Sequence, residues 1–436
     1  MTASNALAVD ASLGGVSARE LAETYGTPLF VVDLDELDLE IHRFTEACAP
    51  RGITVGYAGK AFLCAAFAEH LAATPLRLDV CSLGELVTAE RGGFPAGRMY
   101  FHGCGKTDEE LRAIVDGRVA FSVIDNREEL ERLAAIASDR TGRTAAKATN
   151  ASGRTAAEPR NAHRIDVMLR VNTGIEAHTH AFIRTGGENT KFGIPLDHLG
   201  ETFARIAELP GLRLIGLHSH MGSQISEIAP YVANVDELLA AAQTAAAMGL
   251  PVEELICGGG IAVEEGPADA RPLDLDALAE ALAERARGSG LRLGLEPGRA
   301  LVARAGSSLY RVMAVKTQGR RRFVVVDGGL TDNPRPILYG ARHVPEVMTA
   351  RALGADEPAT MTGRSCENDE MGDYVLPRDL AAGDLVAMRN TGAYTYSMAS
   401  NYNRFGRPPV VFVRDGHHRR VVRGESADDV TRLDVV

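Results

Sequence analysis

Eight alternations of a short β-branched run with a longer Ala-, Leu- and Glu-rich segment lie between about residues 50 and 300, and they predict a (β/α)8 barrel. Beyond residue 304, strand-like runs follow one another without helices, which predicts a second, mostly-β domain. The predicted class is α/β: a TIM-type barrel with a β domain after it.

The barrel strands are read at 53–59, 76–82, 98–103, 120–126, 164–172, 212–220, 254–259 and 291–297. Between them, 107–117, 126–138 and 232–248 carry apolar residues at three- and four-residue spacing, the period of an amphipathic helix. Thr107 with Glu110, and Asn126 with Glu129, have the spacing of capping boxes that start two of these helices. An open doubly wound sheet is the rival, but its GxGxxG signature does not follow the first strand. Residues 141–163 are small, polar and unpatterned, and are expected to form a flexible insertion between the fourth helix and the fifth strand. Strands of the second domain are read at 308–316, 321–329, 384–390, 408–416 and 419–424.

Composition narrows the class. The 436 residues include 58 acidic and 47 basic side chains, a net charge of −11, which argues against a general polyanion binder. No apolar run approaches the roughly 20 residues of a membrane-spanning helix, and the N-terminus lacks a basic region followed by an apolar stretch. Six cysteines without CxxC spacing indicate neither a disulfide framework nor a zinc site, so a reducing cytoplasm is expected.

In such a barrel the chemistry gathers at the C-terminal strand ends. Only five residues are lysines, at 60, 106, 147, 191 and 316. Lys60 ends the first strand beside apolar Ala61 and Phe62, where a partly desolvated amine can form a Schiff base with an aldehyde; a surface lysine is the plain alternative. After the seventh strand, Cys257-Gly258-Gly259-Gly260 offers bare amides to a phosphate, although tight turns use the same residues. The eighth strand ends in Glu296-Pro297-Gly298-Arg299, either an acid and a guanidinium at the mouth or a buried structural pair. His218 and His220, two apart at the end of the sixth strand, have metal-ligand spacing, but no third ligand is evident and no metal is expected. A phosphate cradle, an aldehyde-capturing lysine, an acid for a ring nitrogen and an aromatic to stack on the ring together describe a site for pyridoxal phosphate.

The sequence resembles the fold-type III pyridoxal-phosphate decarboxylases, and among them the diaminopimelate decarboxylases of actinobacteria. The resemblance is carried from about residue 25 onward by YAGKAFLC (57–64), LDVCSLGEL (78–86), RVNTGIEAHTHAF with KFG (170–182, 191–193) and GLHSHMGSQI (216–225). It continues in GGGIAV (258–263), EPGRALVA (296–303), DGGLTDNPRPILYGA (327–341), SCEN (365–368) and GAYTYSMASNYNRFGRPP (392–409). It implies the alanine racemase/ornithine decarboxylase-like fold, with the barrel at 31–303 and residues 1–30 packing with 304–436 as one β domain.

It also implies roles. Lys60 bonds the cofactor aldehyde, His220 stacks on the ring, Glu296 pairs with the pyridine nitrogen, and Asp79 supports Lys60. Ser223, Gly259, Gly260 and Tyr394 hold the phosphate, with Gly298 and Arg299 completing the cofactor site. Family members are homodimers with shared active sites, so Cys366 and Glu367 would reach into the partner's barrel. Cys366 would return a proton to the α-carbon after loss of CO2. Arg299 and Arg335, with Tyr339 and Tyr394, would clamp a retained carboxylate while Glu367 takes a distal ammonium. That set suits meso-2,6-diaminopimelate, giving L-lysine and CO2 at the last step of lysine biosynthesis.

One motif departs from the family: Glu-Ser-Gly-Asp after the cysteine is here Glu367-Asn368-Asp369-Glu370, which adds negative charge and removes a glycine expected beside the substrate. A paralogue acting on a related amino diacid or basic amino acid is the alternative this raises. An alanine-racemase-like enzyme would want arginine at the ring nitrogen, where Glu296 stands. An inactive homologue would have lost Lys60 or Cys366.

Overall fold

The computed structural model describes residues 11–152, 164–175, 190–264, 272–349, 351 and 353–435. Its contacts divide the chain into two compact units, one of Arg43–Ala262 with Pro272–Gly298, the other of Met1–His42, Val263–Arg271 and Arg299–Val436.

The first unit is a closed barrel of eight parallel strands: Ile53–Ala58, Arg77–Val80, Met99–Phe101, Phe121–Ile124, Ile165–Asn172, Leu212–His218, Glu254–Ile256 and Arg292–Leu295. All eight predicted strands are present, somewhat shorter than read. The ring closes where the eighth strand pairs with the first, Leu293 opposite Ile53 and Leu295 opposite Val55. Tyr100, Phe121, Val123, Met168, Ile215 and Ile256 fill the interior. Tyr100 stacks on Phe121 with ring centroids 4.8 Å apart. Its hydroxyl lies where a Cβ on Gly56 would stand, which is why the first strand carries a glycine at that point.

At the N-terminal end of the barrel the buried Glu254 carboxylate ties three strands together. It accepts from Thr54 Oγ1 at 2.9 Å and from Arg77 Nη1 at 2.8 and 3.0 Å. In this fold that end serves stability.

Helix starts follow the side-chain chemistry only in part. Thr107 and Glu110 form the full capping box of Asp108–Val115. Asn126 caps the next helix, Arg127–Ser152, by accepting from Glu129 N at 2.9 Å. The Glu129 carboxylate does not return to Asn126; it meets Lys106 Nζ at 2.7 Å. Buried Lys106 also donates to Val123 O at 2.8 Å and Gly103 O at 3.0 Å, so its charge is enclosed by acceptors. The same helix runs into the segment read as an insertion at 141–163. It continues through Ser152, because a segment rich in alanine propagates a helix once one has started; residues 153–163 lie outside the described residues.

The second unit is mostly β. One sheet runs, in spatial order, Glu370–Pro377, Asp356–Thr362, Arg321–Val326, Gly306–Gln318, Leu29–Asp33, Val410–Arg414 and His417–Val422. Leu385–Arg389 pairs with both Gly306–Gln318 and Val344–Val347. Leu13, Val16, Leu21 and Ala22 from the N-terminal segment share a core with Leu29, Leu309 and Val411. Four of these strands were not read from the sequence, at 29–33, 344–347, 356–362 and 370–377. Pro345, Pro358 and Gly372 interrupt the alternation of the last three. No helix among the described residues is long and apolar enough to cross a membrane.

Asp332 is buried in this unit, accepting from Tyr310 Oη at 2.5 Å and Gly329 N at 2.8 Å. Burial, reinforced by Asp369 and Asp327, pushes its carboxyl from the ordinary 3.8 up to about 7.

Two outcomes are expected in denaturant unfolding. Glu254→Ala strips the partner from Arg77 and should cost about 3 kcal/mol. For Asp332, the value in the fold lies above the unfolded one, so its contribution is complete below about pH 3.8 and lost as pH rises to about 7. Asp332→Asn, which does not titrate, should therefore compare better with the wild type at about pH 8 than at about pH 4, by on the order of 4 kcal/mol.

Candidate active site

The C-terminal ends of the barrel strands carry the predicted chemistry. Lys60 sits in a single 3-10 turn, Gly59–Ala61, directly after the first strand. Ala61 and Phe62 are buried and Phe62 O accepts from Tyr57 Oη at 2.8 Å, so the turn is anchored while the lysine projects from it. The side chain is exposed rather than partly desolvated, because the turn swings it onto the open end of the barrel. Its charge is near enough to lower the pKa of both Asp79 and His220.

Asp79, on the second strand, is buried, and burial, opposed mainly by His102, raises its carboxyl to about 6. Its Oδ1 lies 3.9 Å from His102 Nε2 and has no hydrogen-bond partner among the described residues.

Glu296, just past the eighth strand, is held by two histidines. His102 Nε2 lies 3.1 Å from Oε1 and His218 Nε2 2.9 Å from Oε2. Burial lowers the pKa of both imidazoles, so near neutrality each presents a neutral N–H. Burial alone would push the Glu296 carboxyl up; the two histidines outweigh it and hold the acid well below the usual carboxylate range. Glu296 is thus a buried anion satisfied by two N–H donors. The structural pair with an arginine, weighed from the sequence, gives way to this arrangement. Polar atoms of His102, His218 and Glu296 thus gather within 4.8 Å of one another. The histidine spacing misjudged the group, since the sixth strand ends at His218 and His220 lies beyond it. The companions of His218 come from other strands.

His220 Nδ1 accepts the Gly259 N–H at 3.2 Å, which fixes the ring as the Nε2–H tautomer. Burial, then the Lys60 charge, hold its pKa well below normal. This contact amends the phosphate reading: the Gly259 amide is spent on the histidine. Ser223 and Gly260 stand on two loops that join each other, Ile225 N donating to Gly260 O at 2.8 Å and Ala262 N to Ile225 O at 3.1 Å. The three glycines are required by close approach. A Cβ on Gly258 would strike Ser219 O and the His220 ring, on Gly259 it would strike Glu296 O, and on Gly260 it would strike Gly222 O. The ends of the sixth, seventh and eighth strands can meet only with no side chain there.

These residues fit pyridoxal phosphate. They supply an accessible amine, an acid held well below the usual carboxylate range, an imidazole fixed in place, and buried acceptors on Asp79 and His218 Nδ1 without protein partners among the described residues. Gly298 follows Pro297, whose carbonyl accepts from Ala58 N at 3.2 Å.

The remaining predicted residues belong to the second unit. Arg299 is buried with its guanidinium 4.9 Å from the centre of the Tyr394 ring, and Tyr394 has a φ of 58°. Arg335 and Tyr339 open and close the short helix Arg335–Tyr339; Arg335 is buried, and Tyr339 Oη lies 4.0 Å from Met398 Sδ. Cys366 and Glu367 are exposed on a shaped loop. Cys366 N donates to Asn403 Oδ1 at 2.9 Å, and Tyr402 Oη donates to Glu367 Oε1 at 2.6 Å. The unusual acids that follow are turned to structural use. Asp369 is buried, accepting from Leu330 N at 2.7 Å and Ser365 Oγ at 2.8 Å, while Glu370 pairs with Arg321 at 2.8 Å. The added charge is absorbed within the unit instead of lying bare beside Glu367.

His102, Tyr402 and Asn403 went unread. FHG and SNYN were within view, but nothing in their spacing says that they meet Glu296, Glu367 and Cys366.

A profile described as the pyridoxal binding domain of pyridoxal-dependent decarboxylase matches residues 34–303. The diaminopimelate decarboxylase of Actinosynnema pretiosum subsp. auranticum is 42% identical, over 97% of this chain and 92% of that protein. That of Bacillus subtilis (strain 168) is 37% identical, over 97% and 94%. The crystal structure of diaminopimelate decarboxylase from Helicobacter pylori complexed with L-lysine matches with a TM-score of 0.85 at 28% identity, covering 95% of this chain and 98% of that one. With likeness along nearly the whole length and a barrel mouth suited to the cofactor, the chain belongs to the diaminopimelate decarboxylase family of pyridoxal-phosphate-dependent enzymes.

Proposed function

We propose that this enzyme decarboxylates meso-2,6-diaminopimelate to L-lysine and CO2. The observation that carries the reading is Glu296, kept ionised inside the barrel mouth by His102 and His218. Pyridoxal phosphate, when bound, supplies the electron sink that makes loss of CO2 from an amino acid feasible. Lys60 has the amine that would bond its aldehyde. Glu296 is the acid that would keep the ring nitrogen protonated, and His220, fixed by Gly259, the ring that would stack against it. Asp79 would steady the lysine charge. Ser223 and Gly260 remain the phosphate donors in the barrel, joined by Tyr394, with Gly298 and Arg299 completing the cofactor site.

Substrate selection falls to the second unit. Arg299 and Arg335 carry guanidinium forks suited to a retained carboxylate, with Tyr339 and Tyr394 beside them in the sequence motifs. Glu367 would take the distal ammonium, and the Cys366 thiol would return the proton to the α-carbon. The exposure of both residues on a loop shaped by Tyr402 and Asn403 supports their working in a partner's site, in a homodimer. Six cysteines that form no disulfide, with Cys81 and Cys366 exposed, suit a reducing cytoplasm.

Turnover of meso-diaminopimelate, lysine, ornithine and arginine by the purified holoenzyme tests the substrate; CO2 release is expected from the first alone, and preference for another would overturn the assignment. Lys60→Ala and Cys366→Ala should each be inactive. Mixed in equal amounts and allowed to exchange subunits, they should regain about a quarter of wild-type activity, since half the dimers then hold one intact site. No recovery despite exchange, read by mass spectrometry of tagged subunits, would exclude a shared site.

A further inference from the structure

We propose that His102 is a positioning residue for Glu296: with His218 it takes one carboxylate oxygen each, and the pair holds the acid ionised and correctly aimed while it is buried. The inference rests on Glu296 being the acid that serves the ring nitrogen, and deepens that reading.

The geometry is closed on every side. The two imidazoles approach Glu296 at 3.1 and 2.9 Å through Nε2, and their ring centroids lie 4.6 Å apart at 66°, so each limits the other's rotation. His102 is further set by Tyr100, whose ring meets it edge-on at 5.4 Å. The turn after His102 is tied down by Lys106, which donates to Gly103 O at 3.0 Å. Other ionisable groups feel the same carboxylate. Asp79 and Tyr100 both lie on its side of the barrel, and each is driven up by burial and by the Glu296 charge. Arg170 and Lys60 supply the positive field, acting on His220 and, in the case of Lys60, on Asp79. Buried Cys257 is pushed up to about 12 and stays a neutral thiol. The two imidazoles reach the carboxylate oxygens directly, at 3.1 and 2.9 Å, and the Tyr100 hydroxyl also hydrogen-bonds to the carboxylate.

Removing one imidazole leaves a buried carboxylate with a single histidine donor. Its pKa then rises toward the value burial dictates, and the ionised form is lost as pH falls. Glutamine reaches as far as Nε2 and carries an N–H; phenylalanine keeps the ring and carries none.

The test is the affinity of the apoprotein for pyridoxal phosphate, by absorbance titration at about pH 5.5 and about pH 8, for wild type, His102→Phe, His102→Gln and Glu296→Gln. Wild type and His102→Gln should show the same ratio between the two pH values. In His102→Phe the affinity at the lower pH should fall about tenfold further, because burial, no longer outweighed by two donors, lifts the carboxyl above the pH of that measurement. The acid limb of kcat/KM should move up by about one pH unit in His102→Phe and return in His102→Gln. Equal weakening of the Phe and Gln variants at both pH values would mean a packing role and overturn the proposal. If His102→Phe does not fold, the 13C carboxyl resonance of Glu296 in the wild-type apoprotein decides: it should stay in the ionised position down to about pH 5, and movement above that pH overturns the proposal. The affinity arm contains no substrate, so it stands or falls apart from the choice of diaminopimelate. If Glu296→Gln leaves the affinity unchanged at both pH values, the role of Glu296 itself has failed.

Discussion

An acid that must remain ionised while shut away from water governs the mouth of this barrel. Burying an isolated carboxylate costs several kcal/mol, and a protein usually avoids that cost by letting the group take up a proton. Here two neutral imidazoles supply N–H donors instead, drawn from the ends of the third and sixth strands to meet an acid from the end of the eighth. Three elements far apart in sequence are therefore obliged to arrive at one point. The interior below them, with Tyr100 stacked on Phe121 and threaded past Gly56, is the packing that makes their arrival reproducible.

The glycines after the seventh strand serve that convergence. Because no side chain stands at 258, 259 or 260, the backbone can press against Ser219, Glu296 and Gly222 together. One amide is thereby delivered to His220, and the neighbouring loop zips onto Gly260. Binding geometry and strand packing are consequences of the same missing atoms.

How much of this was legible follows from range. Period-two and period-3.6 patterns are local, so all eight barrel strands and three of the helices between them could be read, and motif order carried Lys60, Glu296 and His220. Interruption by proline or glycine hid Asp356–Thr362 and Glu370–Pro377, whose pairing is set by partners rather than by their own pattern. Alanine content hid the extension of the helix to Ser152 by looking like the absence of pattern. The supporting residues were invisible for a different reason. His102 is an ordinary strand-end histidine until the fold brings Glu296 to it, and Asp369 looked like charge beside a substrate until its bonds to Leu330 and Ser365 were seen.

The loop of Cys366 and Glu367 carries a consequence for assembly. Asp369, Tyr402 and Asn403 fix its shape from within its own subunit. The conformational entropy of ordering it is thus spent when the chain folds. In the dimer proposed above, subunits would meet as preformed surfaces, and little of the association free energy would be consumed in arranging the residues they exchange. Assembly would then be favoured at lower protein concentration than for a loop that had to order on contact, and each site would be complete as soon as the subunits touched.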